Sequence, residues 1–132
     1  MYQALILIST SLSFSMIDYQ KAVIASVSTH QETAPSVTTT DDGFALEFSS
    51  GFTLSATYSC ASSVLEESQE IAEQFAKNRQ DSAEISQSTC RVEITTGPDF
   101  EMIHFNDFIS SVEAAEKQGK VFAFDPLAGA FM

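Results

Sequence analysis

Tryptophan is absent from these 132 residues, and cysteine, histidine and proline number only two, two and three. Each scarcity removes a class of chemistry. Cys60 and Cys90 belong to no CxxC motif or Cys/His cluster, so neither a zinc site nor a thioredoxin-type redox centre is indicated. A disulfide between them stays open, and neither cysteine is expected to be required for folding. His30 and His104 lie too far apart in the chain to share ligand spacing, so no metal and no other cofactor is expected. Basic residues are few as well. Six Lys and Arg face eighteen Asp and Glu, a formal net charge of −12. Lys21, Lys77, Arg79, Arg91, Lys117 and Lys120 are scattered and do not form the stripe that displaces counterions from phosphates. Direct nucleic-acid binding and attraction to an anionic membrane are therefore not expected.

The chain also lacks a long apolar run. The segment from Ala4 to Phe14 is interrupted by Ser9, Thr10, Ser11 and Ser13 and falls short of the ~20 residues that span a bilayer. No Lys or Arg precedes Lys21, whereas a secretory leader needs a basic start, and a cytoplasmic location is the expectation. GxGxxG, GxxxxGK[ST], HExxH, GxSxG and EF-hand patterns are all missing, so the common nucleotide, protease and esterase signatures give no support.

Apolar residues are plentiful, at 44% with eleven phenylalanines, too many for a disordered chain despite the charge imbalance. The length suits a single acidic domain over residues 1–132. Leu5, Ile6, Leu7 and Ile8 read as a strand, with a helix as the alternative. Ser15 followed by Asp18 resembles a capping box for a first helix carrying Ile17, Val23, Ile24 and Val27. His30 to Pro35 is a connector. Alternation in Phe44, Leu46 and Phe48, a turn at Ser49–Gly51, and alternation again in Phe52, Leu54, Ala56 and Tyr58 predict a hairpin, extended to a meander by Val37–Thr40.

Ser63 and Glu66 repeat the capping signature ahead of a second helix, to about Lys77, with Val64, Ile71, Ala72 and Phe75 as its inward stripe. Val92 and Ile94, a turn at Gly97–Pro98 and a strand over Phe100–Phe105 predict a second hairpin. A third helix, capped by Asn106 or Asp107 and stopped by Gly119, and a last strand over Lys120–Phe124 complete the reading. The expected fold is an α+β two-layer sandwich: a mostly antiparallel or mixed sheet of about five to seven strands with about three helices on one face. A ββα pseudo-repeat is suggested by the order hairpin, then capped helix, met twice.

Two clusters carry candidate chemistry. Glu66, Glu70 and Glu73 fall at i, i+4 and i+7 with Glu67 beside them, a carboxylate ridge suited to a basic partner. His104, expected on the apolar face of a strand, has Asp99 and Asp107 near it in sequence and is the one candidate for acid/base work. The leading functional expectation is a non-catalytic protein that neutralises, inhibits or chaperones a basic protein partner, of an immunity, anti-defence or secretion-chaperone type. A small enzyme or ligand-binding domain with a pocket near His104 is the competing class. The apolar C-terminal residues Leu127–Met132 either tuck into the core or anchor the chain as a subunit of a larger particle.

Overall fold

In the computed structural model, which describes residues 1–29 and 33–132, the apolar N-terminal run forms strand β1 (Gln3–Ile8). His30 and the start of the expected connector lie outside the described residues. Helix α1 (Met16–Ser28) begins where the sequence placed it, with the Ser15 hydroxyl accepting the Asp18 N–H at 3.2 Å. It buries Tyr19, Val23 and Val27, while Ile17 faces solvent, so the inward stripe is centred on the tyrosine. The meander follows as β2 (Ser36–Thr39), β3 (Gly43–Glu47) and β4 (Thr53–Ser59).

Helix α2 (Ser62–Phe75) starts earlier than the capping signature implies. Ala61 is its N-cap and no side chain caps it, because Ser63 already lies within the first turn. A short helix absent from the sequence reading, α3 (Ser82–Ser86), tucks Ile85 inward. Strand β5 (Cys90–Thr96), helix α4 (Phe105–Glu116), β6 (Val121–Asp125) and the two-residue β7 (Ala130–Phe131) complete the chain. Gly119 ends the α4 turn at φ +144°, a region in which side-chain-bearing residues are strained.

The strands form one seven-stranded antiparallel sheet in the order β2-β3-β4-β5-β1-β6-β7. The expected α+β sandwich is therefore what the chain makes, but its helices are divided between the two faces. Helices α1 and α4 pack with Ala4, Ile6 and Ile8 of β1, with Leu46 and Leu54, and with Val92 and Ile94. On the other face Ile71, Ala72, Ala76 and Ile85 of the α2–α3 segment pack with Leu5, Leu7, Phe122 and Phe124. The cause lies in the sequence. β1 is apolar at both parities, so both of its faces must be covered, whereas β3 and β4 alternate and need cover on one face only.

No strand forms over Phe100–Phe105. β5 already has β4 on one side and β1 on the other, which leaves no edge for a hairpin partner, and the Asp99 carboxylate takes the N–H groups of Ile103 and His104 instead. The second half of the suggested repeat is thus βα, and α2 and α4 lie on opposite faces of the sheet. Phe75 sits at the angle its stripe predicts, but at the last helical residue, against Phe124 and beside Gly129 near the sheet edge, and is 45% exposed.

Cys60 and Cys90 are joined as a disulfide. The β4–β5 register pairs Ser59 with Arg91, so the next step along each strand brings the two cysteines opposite one another.

Candidate functional site

The turn between β3 and β4 and the segment leading into α4 meet at one end of the sheet. In the turn, the Gly51 N–H donates to the Phe48 carbonyl at 2.9 Å and Gly51 adopts φ +91°, which glycine does at no steric cost. Ser50 is thereby placed, exposed, at the tip of the turn. On the other side Asp99 organises its own loop. One carboxylate oxygen accepts the Ile103 N–H at 3.1 Å; the other accepts the His104 N–H at 3.0 Å and the Tyr2 hydroxyl at 2.7 Å. Burial alone raises the Asp99 carboxyl, but the Tyr2 hydroxyl and these two N–H groups outweigh it and hold the group below the usual carboxylate range.

That loop delivers His104 to the N-cap position of α4, where its side chain makes no capping bond to the backbone. The ring is 4% exposed. It stacks on Phe52 at 4.3 Å between centroids and 7° between planes, with Phe48 at 5.0 Å. Its Nδ1 lies 2.9 Å from Asp107 Oδ2, and its Nε2 lies 2.7 Å from Ser50 Oγ. An ionised carboxylate only accepts, so Nδ1 carries the proton and donates to Asp107; in a neutral ring Nε2 then accepts the Ser50 hydroxyl. Asp107 is 2% exposed and lies in the first turn of α4, where the helix dipole favours its charge.

Three side chains separated in sequence thus form a serine–histidine–aspartate chain of hydrogen bonds. It borders a cleft of about 390 Å³ walled by Phe52, Pro98, Phe100 and Ile103. No protein-family model matches this chain, and no curated protein or solved structure matches it either.

Of the residues singled out by sequence, His104 and Asp107 are brought together, but not as a strand residue and a helix cap. His104 is itself the cap residue, and Asp107 is its ring partner. Asp99 touches the His104 backbone only and is an anchor for the loop. Ser50 was missed: it is 54 positions from His104, and a serine beside a glycine between two alternating strands carries no signal beyond a turn. The apolar loop was also misplaced, since Phe100 is 92% exposed and Met102, at φ +57°, and Ile103 are exposed with it.

The carboxylate ridge holds three members and loses one. Glu66, Glu70 and Glu73 are exposed on the outer side of α2. Glu67 turns toward the sheet and pairs with Arg91 at 2.5 Å, while Glu93 holds the same guanidinium at 2.6 Å. A further hollow of about 240 Å³ lies between the start of α1 and the β2–β3 turn, with Phe14, Ile17 and Tyr58 in its wall and Asp41 and Asp42 lining it too. Among the described residues, no group of three His, Cys, Asp or Glu side chains is arranged to hold a metal ion.

Proposed function

We propose that this protein binds a basic protein partner without catalysing a reaction on it, and so neutralises, inhibits or chaperones that partner. The observation that carries the reading is the distribution of charge left after internal pairing. Arg79, Arg91 and Lys120 are held by Asp81, Glu67 with Glu93, and Glu84, whereas Glu66, Glu70 and Glu73 stand exposed with no ion pair among the described residues. An acidic surface of this kind speeds encounter with a cationic protein and repels acidic competitors. The hollow beside α1 adds a receptacle of fitting chemistry, since an arginine or lysine stem packs on apolar walls while its head meets carboxylates.

A structural-subunit role has less to draw on. Phe131 of β7 pairs with Phe124 of β6 and packs on its ring, so part of the apolar tail is used by the chain's own sheet. Among the described residues no helix is long and apolar enough to cross a membrane. The paired cysteines favour an oxidising compartment over the cytoplasm, where thiols are kept reduced. Thiol titration of protein purified from its source under alkylating conditions decides between the two.

The binding reading is tested by capture from a source lysate on wild-type protein and on the Glu66→Gln/Glu70→Gln/Glu73→Gln variant, at low and high salt, with mass spectrometry of what is retained. A basic protein held by wild type, released by salt and lost from the variant is the expected result. Equal retention by both baits, or a partner indifferent to salt, overturns it.

A further inference from the structure

We infer that Ser50 is a nucleophile activated by His104 and Asp107, and that the adjoining cleft takes small uncharged esters with an apolar acyl group. This goes beyond the binding reading and does not depend on it. The geometry meets each requirement of an activated serine. The hydroxyl is 2.7 Å from the acceptor nitrogen of a histidine, and the opposite nitrogen of the same ring is 2.9 Å from a buried carboxylate, which fixes the tautomer and stabilises the imidazolium that forms. The ring cannot swing away, because Phe52 stacks on it and Phe48 packs beside it. The two inner members are buried, yet Ser50 itself is exposed at the cleft, so a reactant reaches the oxygen without moving the base.

A histidine serving only to anchor the α4 loop to the sheet needs neither an exposed serine on its outer nitrogen nor a cavity beside that serine. The cleft, at about 390 Å³, falls within the roughly 300 to 1,000 Å³ of small-molecule sites. Phe52, Pro98, Phe100 and Ile103 offer apolar wall, and Asp99 and Glu101 line the same space. Phosphorylated and carboxylated substrates are therefore repelled, and an uncharged ester is preferred.

In the step itself, Ser50 Oγ bonds to the acyl carbon as its proton passes to His104 Nε2. The carbon–oxygen bond to the leaving alcohol breaks, and Nε2 returns the proton to the departing oxygen. Water, deprotonated by the same nitrogen, then bonds to the acyl carbon; the carbon–Oγ bond to Ser50 breaks, Nε2 returns the proton to Oγ and the acid leaves, so one ester and one water become one acid and one alcohol with the serine restored.

Two probes test this: p-nitrophenyl butyrate for turnover and an alkyl fluorophosphonate for trapping, the latter read by intact and peptide mass spectrometry. One fluorophosphonate adduct, on Ser50, is expected, with p-nitrophenol release that Ser50→Ala abolishes. Because Ser50 is exposed, that variant keeps the fold, as circular dichroism will confirm. Asp107→Asn should slow both reactions by about 100-fold or more, the low end of what a positioned base contributes. Should that variant unfold, trapping of wild type in its folded form and in urea-unfolded form replaces it, and Ser50 must react only in the folded form. Absence of a Ser50 adduct, an adduct on another serine, undiminished trapping in folded Asp107→Asn, or equal trapping of Ser50 in the unfolded chain overturns the inference.

Discussion

Replacing both cysteines by serine should weaken the protein substantially while leaving its folded structure intact. Cys60 and Cys90 are separated by 30 positions, and the loop they close contains α2 and α3, the layer that covers one face of β1 and β6. In the chain-entropy account, closing a loop of that length removes about 12 cal/mol/K from the unfolded ensemble, or about 3.5 kcal/mol at 25 °C. The folded state gives up little, since β4 and β5 remain paired through Ser59 and Arg91, and Ile71, Ala72, Ala76 and Ile85 still bury against the sheet. A domain of this size is stable by about 5 to 15 kcal/mol, so a cooperative transition survives, in agreement with the reading that the aromatic core suffices to fold the chain. Without tryptophan, urea unfolding is followed by far-ultraviolet circular dichroism. With a slope of about 2 kcal/mol per molar, the midpoint of Cys60→Ser/Cys90→Ser should fall by about 2 M, with a somewhat larger slope because the unlinked unfolded chain exposes more surface. A loss below about 1 kcal/mol refutes the loop argument, and loss of the transition altogether shows that the bridge, not the packing of α2 and α3, holds that layer in place.

Other outcomes follow from burial and charge. Ile85→Ala should cost about 2 to 5 kcal/mol, because the side chain is wholly buried, whereas Phe75→Ala, half-exposed at the sheet edge, should cost about 1 to 2 by denaturant unfolding; a reversed order means that α3 is not packed on the sheet. Glu67→Gln should lower stability by about 1 kcal/mol more than Glu70→Gln, since it removes one of two carboxylates holding a nearly buried guanidinium, and equal effects at low salt sink that reading. Stability should also depend on pH at both ends. The Tyr2 hydroxyl is raised by its bond to Asp99 and by burial, and Tyr19 by burial against the opposing bond to Ser111, so their contribution is full below about pH 10 and is lost as pH rises beyond it. Asp99 is lowered, so its contribution is present above about pH 4 and fades as pH falls. Unfolding midpoints across pH, compared with those of Tyr19→Phe and Tyr2→Phe, check the signs; an alkaline decline of unchanged size in both variants contradicts the assignment.

What could be read from the sequence was what depends on neighbours along the chain. The alternation in Phe44, Leu46 and Phe48 and in Leu54, Ala56 and Tyr58 specified a hairpin, and the Ser15 cap specified a helix start, because each needs only a few consecutive residues. The unbroken run Ala4–Ile8 held more than was drawn from it: apolar residues at both parities mean a strand covered on both faces, and therefore helices on both faces. Val64, Ile71 and Ala72 told which side of α2 is buried but not which side of the sheet receives it. The strand expected over Phe100–Phe105 failed for a reason no local pattern contains, namely that both edges of β5 are taken by strands distant in sequence.

The candidate site is the extreme case of that limit. Local signals gave Ser50 to a turn, Asp107 to a cap and His104 to a strand, three structural roles with nothing in common. Only the meeting of the β3–β4 turn with the start of α4 puts the serine hydroxyl and the carboxylate on opposite nitrogens of one ring. Asp99 makes that meeting possible: by accepting the Ile103 and His104 N–H groups it turns the chain into α4 instead of letting it run on as a strand, and by accepting the Tyr2 hydroxyl it ties the turn to the segment just before β1. The same turn leaves Phe100 and Ile103 without a core to enter, and they wall the cleft beside Ser50. One carboxylate, half-buried and held ionised by its donors, therefore accounts for the missing strand, the exposed apolar loop and the placement of the histidine together.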